Sequence, residues 1–199
     1  MKNRPQAYGA ELLGTFALTL SVLFSISGNS ASLTPLVAGL VVGLFVYTVG
    51  AISGTHLNPA VTLSMLSVKK IKSTDAAGYI VVQLIGAIGA GVVANQLGVP
   101  AVDMRPEDSV AVAFAEALGA FILIFGIASV SYGKVHSAAA GLVIGGSLLL
   151  GIRLTAGFSN GVLNPAVAIG IGSVSATYLL APILGGLLAV WCYRWLIDA

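Results

Sequence analysis

The sequence predicts an all-α integral membrane protein with six transmembrane helices and two short re-entrant half-helices, arranged as an inverted repeat. Three observations predict it. The 199 residues are 57% hydrophobic and only 8% charged, with a mean hydropathy of +1.00. A water-soluble domain carries roughly 25% charged residues, so this chain has too little charge to cover a water-facing surface. The tripeptide Asn-Pro-Ala occurs twice, at Asn58-Pro59-Ala60 and at Asn164-Pro165-Ala166. Each copy follows a segment that reads Ala-Glu-x-Leu-Gly-x-Phe, "AELLGTF" from Ala10 and "AEALGAF" from Ala115.

Apolar stretches near 7–27, 34–52, 76–97, 109–131, 137–154 and 174–196 each approach the ~20 residues that cross a bilayer as helix. The first is too long and too early for a cleavable signal, and no small-residue cleavage pattern follows it. Lys2, Arg4, Lys69, Lys70, Lys72, Lys134 and Arg194 fall on one side of this arrangement, and only Arg105 and Arg153 on the other. That bias puts both termini in the cytoplasm and makes the protein a multi-pass protein of the cell membrane. Lys69, Lys70 and Lys72 read as a solvated cytoplasmic face, and Asp103, Arg105, Glu107 and Asp108 as an exposed outer loop.

From Glu11 to Asn58 is 47 positions, and from Glu116 to Asn164 is 48. The chain is thus one channel domain, 1–199, built from two copies of one unit, about 7–97 and 109–197, joined by an outer loop at 98–108. Three spans per copy is an odd number, so the second copy enters from the opposite face, as in transporters whose site lies at the midplane.

Each Asn-Pro-Ala starts a helix, because Asn is a strong N-cap and Pro loses nothing at the first helical position. The expected half-helices run from Asn58 to about Lys69 and from Asn164 to about Ser173. They meet N-terminus to N-terminus near the bilayer centre. The lead-in segments "GAISGTHL" and "TAGFSNGVL" are unsuited to regular helix, and such backbone is tolerated at membrane depth where it lines a cavity or is buried in protein. Their carbonyls form a run of acceptors, while each Asn amide is free to donate into the lumen. Two donors and two positive dipole ends orient a passing water and repel cations.

These motifs, with "SGTHLNPAVTL", "NPAVAIG" and "TYLLAPILGG", resemble the aquaporin and aquaglyceroporin family, the major intrinsic proteins, over nearly the whole length. The chain is similar to a short prokaryotic-type member, and its "NPAVA" also resembles some plant vacuolar-membrane members. The resemblance implies an aquaporin-like fold, a pore in each protomer and a homotetramer in the lipid bilayer. By spacing from the two motifs it implies a filter at Ala38, Ile152, Gly161 and Val167. Most members carry Arg where this chain has Val167, so the implied filter is wide and apolar and lacks a side-chain donor. Ala168 stands where glycerol channels favour Asp, and the Tyr178-Leu179 pair mixes water-type and glycerol-type features. Water is the first expected solute, with ammonia, urea, glycerol and hydrogen peroxide open beside it.

Glu11 and Glu116 lie inside spans, where ionisable groups are expensive and usually functional or paired. They read either as proton carriers or as acceptors for the N–H groups of the lead-in loops, and their repeat symmetry favours the second. His56 reads either as a pH gate or as a loop support that also forms part of the cytoplasmic pore wall. Arg153 follows Ile152 and either restores charge at the outer mouth or snorkels to the headgroups.

The single cysteine, Cys192, allows no intramolecular disulfide. No nucleotide loop, metal-ligand cluster or nucleophilic triad is present, so no cofactor, metal, nucleic-acid partner or enzymatic activity is expected. The function predicted is passive conduction of water and possibly other small neutral solutes. Its alternatives are a glycerol-, urea- or ammonia-type facilitator with little water selectivity, an ion channel and a structural membrane protein.

Overall fold

The computed structural model describes residues 4–28 and 31–198. Lys2 and Ala199 lie outside the described residues. Within the described residues eight α-helices form in order: α1 Arg4–Ser27, α2 Thr34–Ser53, α3 Pro59–Ser67, α4 Ser73–Gln96, α5 Val110–Ser131, α6 Ala140–Thr155, α7 Pro165–Ile171 and α8 Ala176–Asp198. Among the described residues, six helices are long and apolar enough to cross a membrane; two of these spans are lengthened by the 3₁₀ turns Ala31–Leu33 and Ser137–Ala139. The fifth expected span therefore opens as a 3₁₀ turn, and α4 begins three residues earlier than the apolar stretch suggested.

Packing follows the repeat. The α1–α4 contact of the first half has its counterpart in α5–α8, and α1–α2 has its counterpart in α5–α6. The half-helices cross over, so that α3 packs on α8 and α7 on α4. The α2–α6 contact lies at the junction of the two halves. There Gly39 and Gly145 meet so closely that a Cβ on Gly39 would stand 2.6 Å from the Gly145 carbonyl oxygen. Without a hydrophobic drive between helices in lipid, such backbone proximity supplies the packing. Outward positions such as Leu40, Leu44, Leu142 and Leu184 are exposed, which suits an apolar solvent rather than water.

One end of the bundle gathers cations. Arg4 pairs with Asp75 at 2.9 Å, and Lys70 donates to the Ser131 carbonyl at 3.0 Å while lying 4.1 Å from the Tyr132 ring centroid. At the other end, Asp108 of the outer loop accepts from the Thr177 N–H at 2.9 Å and closes the first turn of α8.

Candidate functional site

Both half-helices start at their asparagines. Asn58 and Asn164 are extended N-caps; Asn58 Oδ1 accepts from the Ala60 N–H at 2.8 Å, and Asn164 Oδ1 accepts from Ala166 at 3.0 Å and Val167 at 3.4 Å. Pro59 and Pro165 take the first helical position, where a missing N–H is no loss. The helices end sooner than expected, at Ser67 and Ile171. A left-handed Gly172 closes α7, and Val68 closes α3 just before the left-handed Lys69.

The amides are not free. Asn58 Nδ2 donates to the Leu163 carbonyl at 3.0 Å, and Asn164 Nδ2 donates to the Leu57 carbonyl at 2.9 Å. Each asparagine thus caps its own helix and ties down the other repeat's lead-in. A primary amide carries two N–H donors, so one per asparagine is committed and one remains.

The lead-ins hold a costly backbone. Thr55, Leu57 and Leu163 have φ of 52°, 50° and 56°, and Gly161 has 62°. Left-handed conformations in non-glycine residues cost about 1–3 kcal/mol each and persist only where their surroundings enforce them. The two buried glutamates supply that enforcement. Glu11 accepts from Ser53 Oγ (2.7 Å), the N–H groups of His56 (2.8 Å) and Leu57 (2.6 Å), and Gln83 Nε2 (2.8 Å). Glu116 accepts from Ser159 Oγ (2.8 Å) and the N–H groups of Val162 (3.0 Å) and Leu163 (2.7 Å). Ser53 and Ser159, each five residues before its asparagine, also take the N–H of Thr55 and of Gly161, both at 3.0 Å.

The glycine three residues after each glutamate has its own reason. A Cβ on Gly14 would fall 2.4 Å from Leu57 Cδ2, and one on Gly119 would fall 2.4 Å from Leu163 Cδ2. Ala-Glu-x-Leu-Gly is therefore a socket: the carboxylate holds the loop backbone and the glycine admits its leucine. The repeated motif marked these segments, but the leucine contacts could not be read from it.

Between the lead-ins runs a cavity of about 60 Å³, lined by both asparagines, by parts of both loops, and by α1, α2, α5 and α6. At roughly 10–15 Å³ per water, it holds a short file. Ala38, Ile152, Gly161 and Val167 all stand in its wall. Arg153 does not: it is exposed on the last turn of α6 and absent from the lining. Neighbouring residues on a helix point about 100° apart, so with Ile152 turned inward Arg153 turns away. Sequence reasoning missed Met104 and Asn160. Met104 reaches the wall from the outer loop, and the Asn160 amide donates to its carbonyl and to Ser173 Oγ, both at 2.8 Å. It also missed Gln83 and Thr62, which form a buried polar set with Glu11 and His56. Among the described residues, no group of His, Cys, Asp and Glu is arranged to hold a metal ion.

Comparison with known proteins places this arrangement. The family model of the major intrinsic proteins matches residues 5–193. The chain is 36% identical to "Glycerol uptake facilitator protein-like 6" of Lactiplantibacillus plantarum, covering 94% of this chain and 96% of that one. It is 30% identical to "Aquaporin NIP3-1" of Arabidopsis thaliana, covering 92% of this chain and 65% of that longer one. The fold matches that of the aquaglyceroporin from Plasmodium falciparum with a TM-score of 0.80 at 23% identity, covering 98% and 97% of the two chains. The chain belongs to the major intrinsic protein family.

Proposed function

We propose that this member of the major intrinsic protein family conducts water and other small neutral solutes passively through the cavity between its half-helices. It is a channel rather than an enzyme. The observation that carries the reading is the reciprocal pair of asparagines in the wall of one cavity, each bonded to the opposite lead-in carbonyl. The second N–H of each amide orients a passing water by its oxygen. The positive ends of α3 and α7 act on the same point and oppose cations. Carbonyls of the left-handed lead-ins supply acceptors on either side.

In this reading Ala38, Ile152, Gly161 and Val167 form the outer filter. None offers a side-chain donor, so solutes that mainly donate, such as water and ammonia, pass more readily than solutes that need a donor. An apolar wall exacts desolvation from any solute whose hydrogen bonds the carbonyls do not replace. Water is the leading solute; ammonia, urea, glycerol and hydrogen peroxide follow. The name of the 36%-identical bacterial relative, a glycerol uptake facilitator-like protein, is in keeping with that wider range. Glu11, Glu116 and His56 support the lead-ins.

The functional unit is a single domain spanning the whole chain, and four copies form a homotetramer with one pore each. Both termini face the cytoplasm of a cell-membrane protein, on the strength of the cationic end marked by Arg4 and Lys70. Stopped-flow light scattering on proteoliposomes tests the reading. Osmotic shrinkage faster than in empty vesicles is expected, without ionic conductance in a voltage-clamped bilayer; shrinkage at the empty-vesicle rate refutes it.

A further inference from the structure

The chain has three methionines, and they meet solvent differently. Met1 lies outside the described residues, Met65 is 2% exposed on α3, and Met104 is half-buried in the outer loop. Met104 stands in the wall of the asparagine-lined cavity, the one sulfur among the described residues that line it. Its backbone is tied in place. A carbonyl oxygen only accepts, so Asn160 Nδ2, 2.8 Å from the Met104 carbonyl oxygen, must be the donor, and the orientation of that amide is forced. The second hydrogen of the same nitrogen goes to Ser173 Oγ at 2.8 Å, and the Asn160 N–H goes to Tyr178 Oη at 2.9 Å. Farther along the outer loop, Asp108 is bonded to the start of α8. The thioether is therefore held at the cavity by a loop anchored on both the second lead-in and α8.

We propose that Met104 is an oxidation site through which hydrogen peroxide limits the passage of larger solutes. The sulfur lone pair attacks one oxygen of the peroxide, and the S–O bond forms as the O–O bond breaks. Sulfur gives up two electrons, and the leaving hydroxide takes the proton from the transferred oxygen to become water. The product, methionine sulfoxide, is polar where the thioether was apolar. It adds an oxygen of about one water's bulk, roughly 10–15 Å³, to a cavity of about 60 Å³. Because the Met104 carbonyl is bonded to Asn160, the loop does not retreat to make room. The narrowed mouth still suits water, which donates to the new oxygen, and it obstructs solutes of the size of urea. Met65, shielded on α3, stays reduced. The inference rests on the cavity being the conduction path, with hydrogen peroxide among its solutes.

The full chain in detergent is treated with hydrogen peroxide to test this. Part is then repaired with methionine sulfoxide reductases of both epimer specificities, and all samples are reconstituted for stopped-flow light scattering. Peptide mass spectrometry is expected to find sulfoxide at Met104 and thioether at Met65. Oxidised protein should lose most of its urea permeability and keep most of its water flow, and repair should restore urea. Met104→Leu should keep its urea permeability through the same treatment, which separates Met104 from Cys192. Met104→Gln, which sets a carbonyl near the sulfur position, should show the low urea permeability without peroxide. Met104 left as thioether, a sulfoxide that leaves urea flow unchanged, or a loss that Met104→Leu shares overturns this inference alone. So does an untreated protein that passes water but no urea. An untreated protein that passes neither faster than empty vesicles overturns the channel reading with it.

Discussion

The two lead-in loops share left-handed residues three and one positions before their asparagines, in different surroundings. In both, a serine five residues before the asparagine and a buried glutamate from a neighbouring helix hold a left-handed turn ending in a leucine. Yet Glu11 gathers four donors, one of them the side chain of Gln83, where Glu116 gathers three. The first loop bears Thr55 and His56 where the second bears Gly161 and Val162. A β-branched residue at φ 52° is more strained than a glycine at 62°, and Thr55 is held further by its own bond to the Phe45 carbonyl at 3.2 Å. The second loop is steadied from outside instead, through Asn160 and the outer loop. Shared features build the passage, and unshared ones give its two ends different chemistry.

The comparison breaks most visibly at the glutamates. Glu11→Gln and Glu116→Gln each turn one acceptor oxygen into a donor facing other donors, and each orphaned buried donor costs about 1–3 kcal/mol. Both variants are expected to lose folded, monodisperse protein in detergent, with Glu11→Gln the worse because it serves more donors and the more strained loop. Solute ratios of any material that folds should stay near wild type. A stable Gln variant with altered proton coupling would reverse the assignment.

A smaller effect is expected at the asparagines. Asn58→Asp combined with Asn164→Asp replaces two donors with two negative charges and offsets the positive helix ends. Cation leak, read as conductance in planar bilayers, should rise. Leak equal to wild type in a folded double variant counts against the dipole account.

The mildest expectation concerns the outer loop, whose Asp108 caps the first turn of α8. The Asp108 carboxylate is held below the usual range by its hydrogen bonds from Thr177. A depressed carboxylate contributes stability that is present above its unfolded value, about 3.9, and is lost as pH falls through its lower folded value. Asp108→Asn should therefore flatten a shallow acid-side decline in thermal stability, and an unchanged pH profile would assign that decline to other groups.

The six spans and two helix starts were legible because hydropathy and Asn-Pro are local signals. Span ends shifted by up to three residues where helices extended into polar flanks, as α4 did to Ser73. The half-helices were overestimated because their stops are set by left-handed residues: Lys69, whose side chain signals no stop, and Gly172, a helix-ending glycine that the apolar run through Ser173 overrode. The committed amide hydrogens depend on partners 105 and 107 residues away, beyond any local signal. Arg153 could be weighed from helix geometry alone, but its outward turn needed the position of Ile152. Met104 and Gln83 were invisible, one in a loop without periodicity and the other an ordinary polar residue within a span.

The claim that the outer filter lacks a side-chain donor is tested most directly by Val167→Arg in proteoliposomes, with water, urea, ammonia and cation permeability measured in the same preparation. The account predicts that water flow persists or falls modestly, that urea and ammonia passage drops sharply, and that any residual cation leak shrinks. If all four stay at wild-type values, Val167 does not line the constriction and the filter assignment fails.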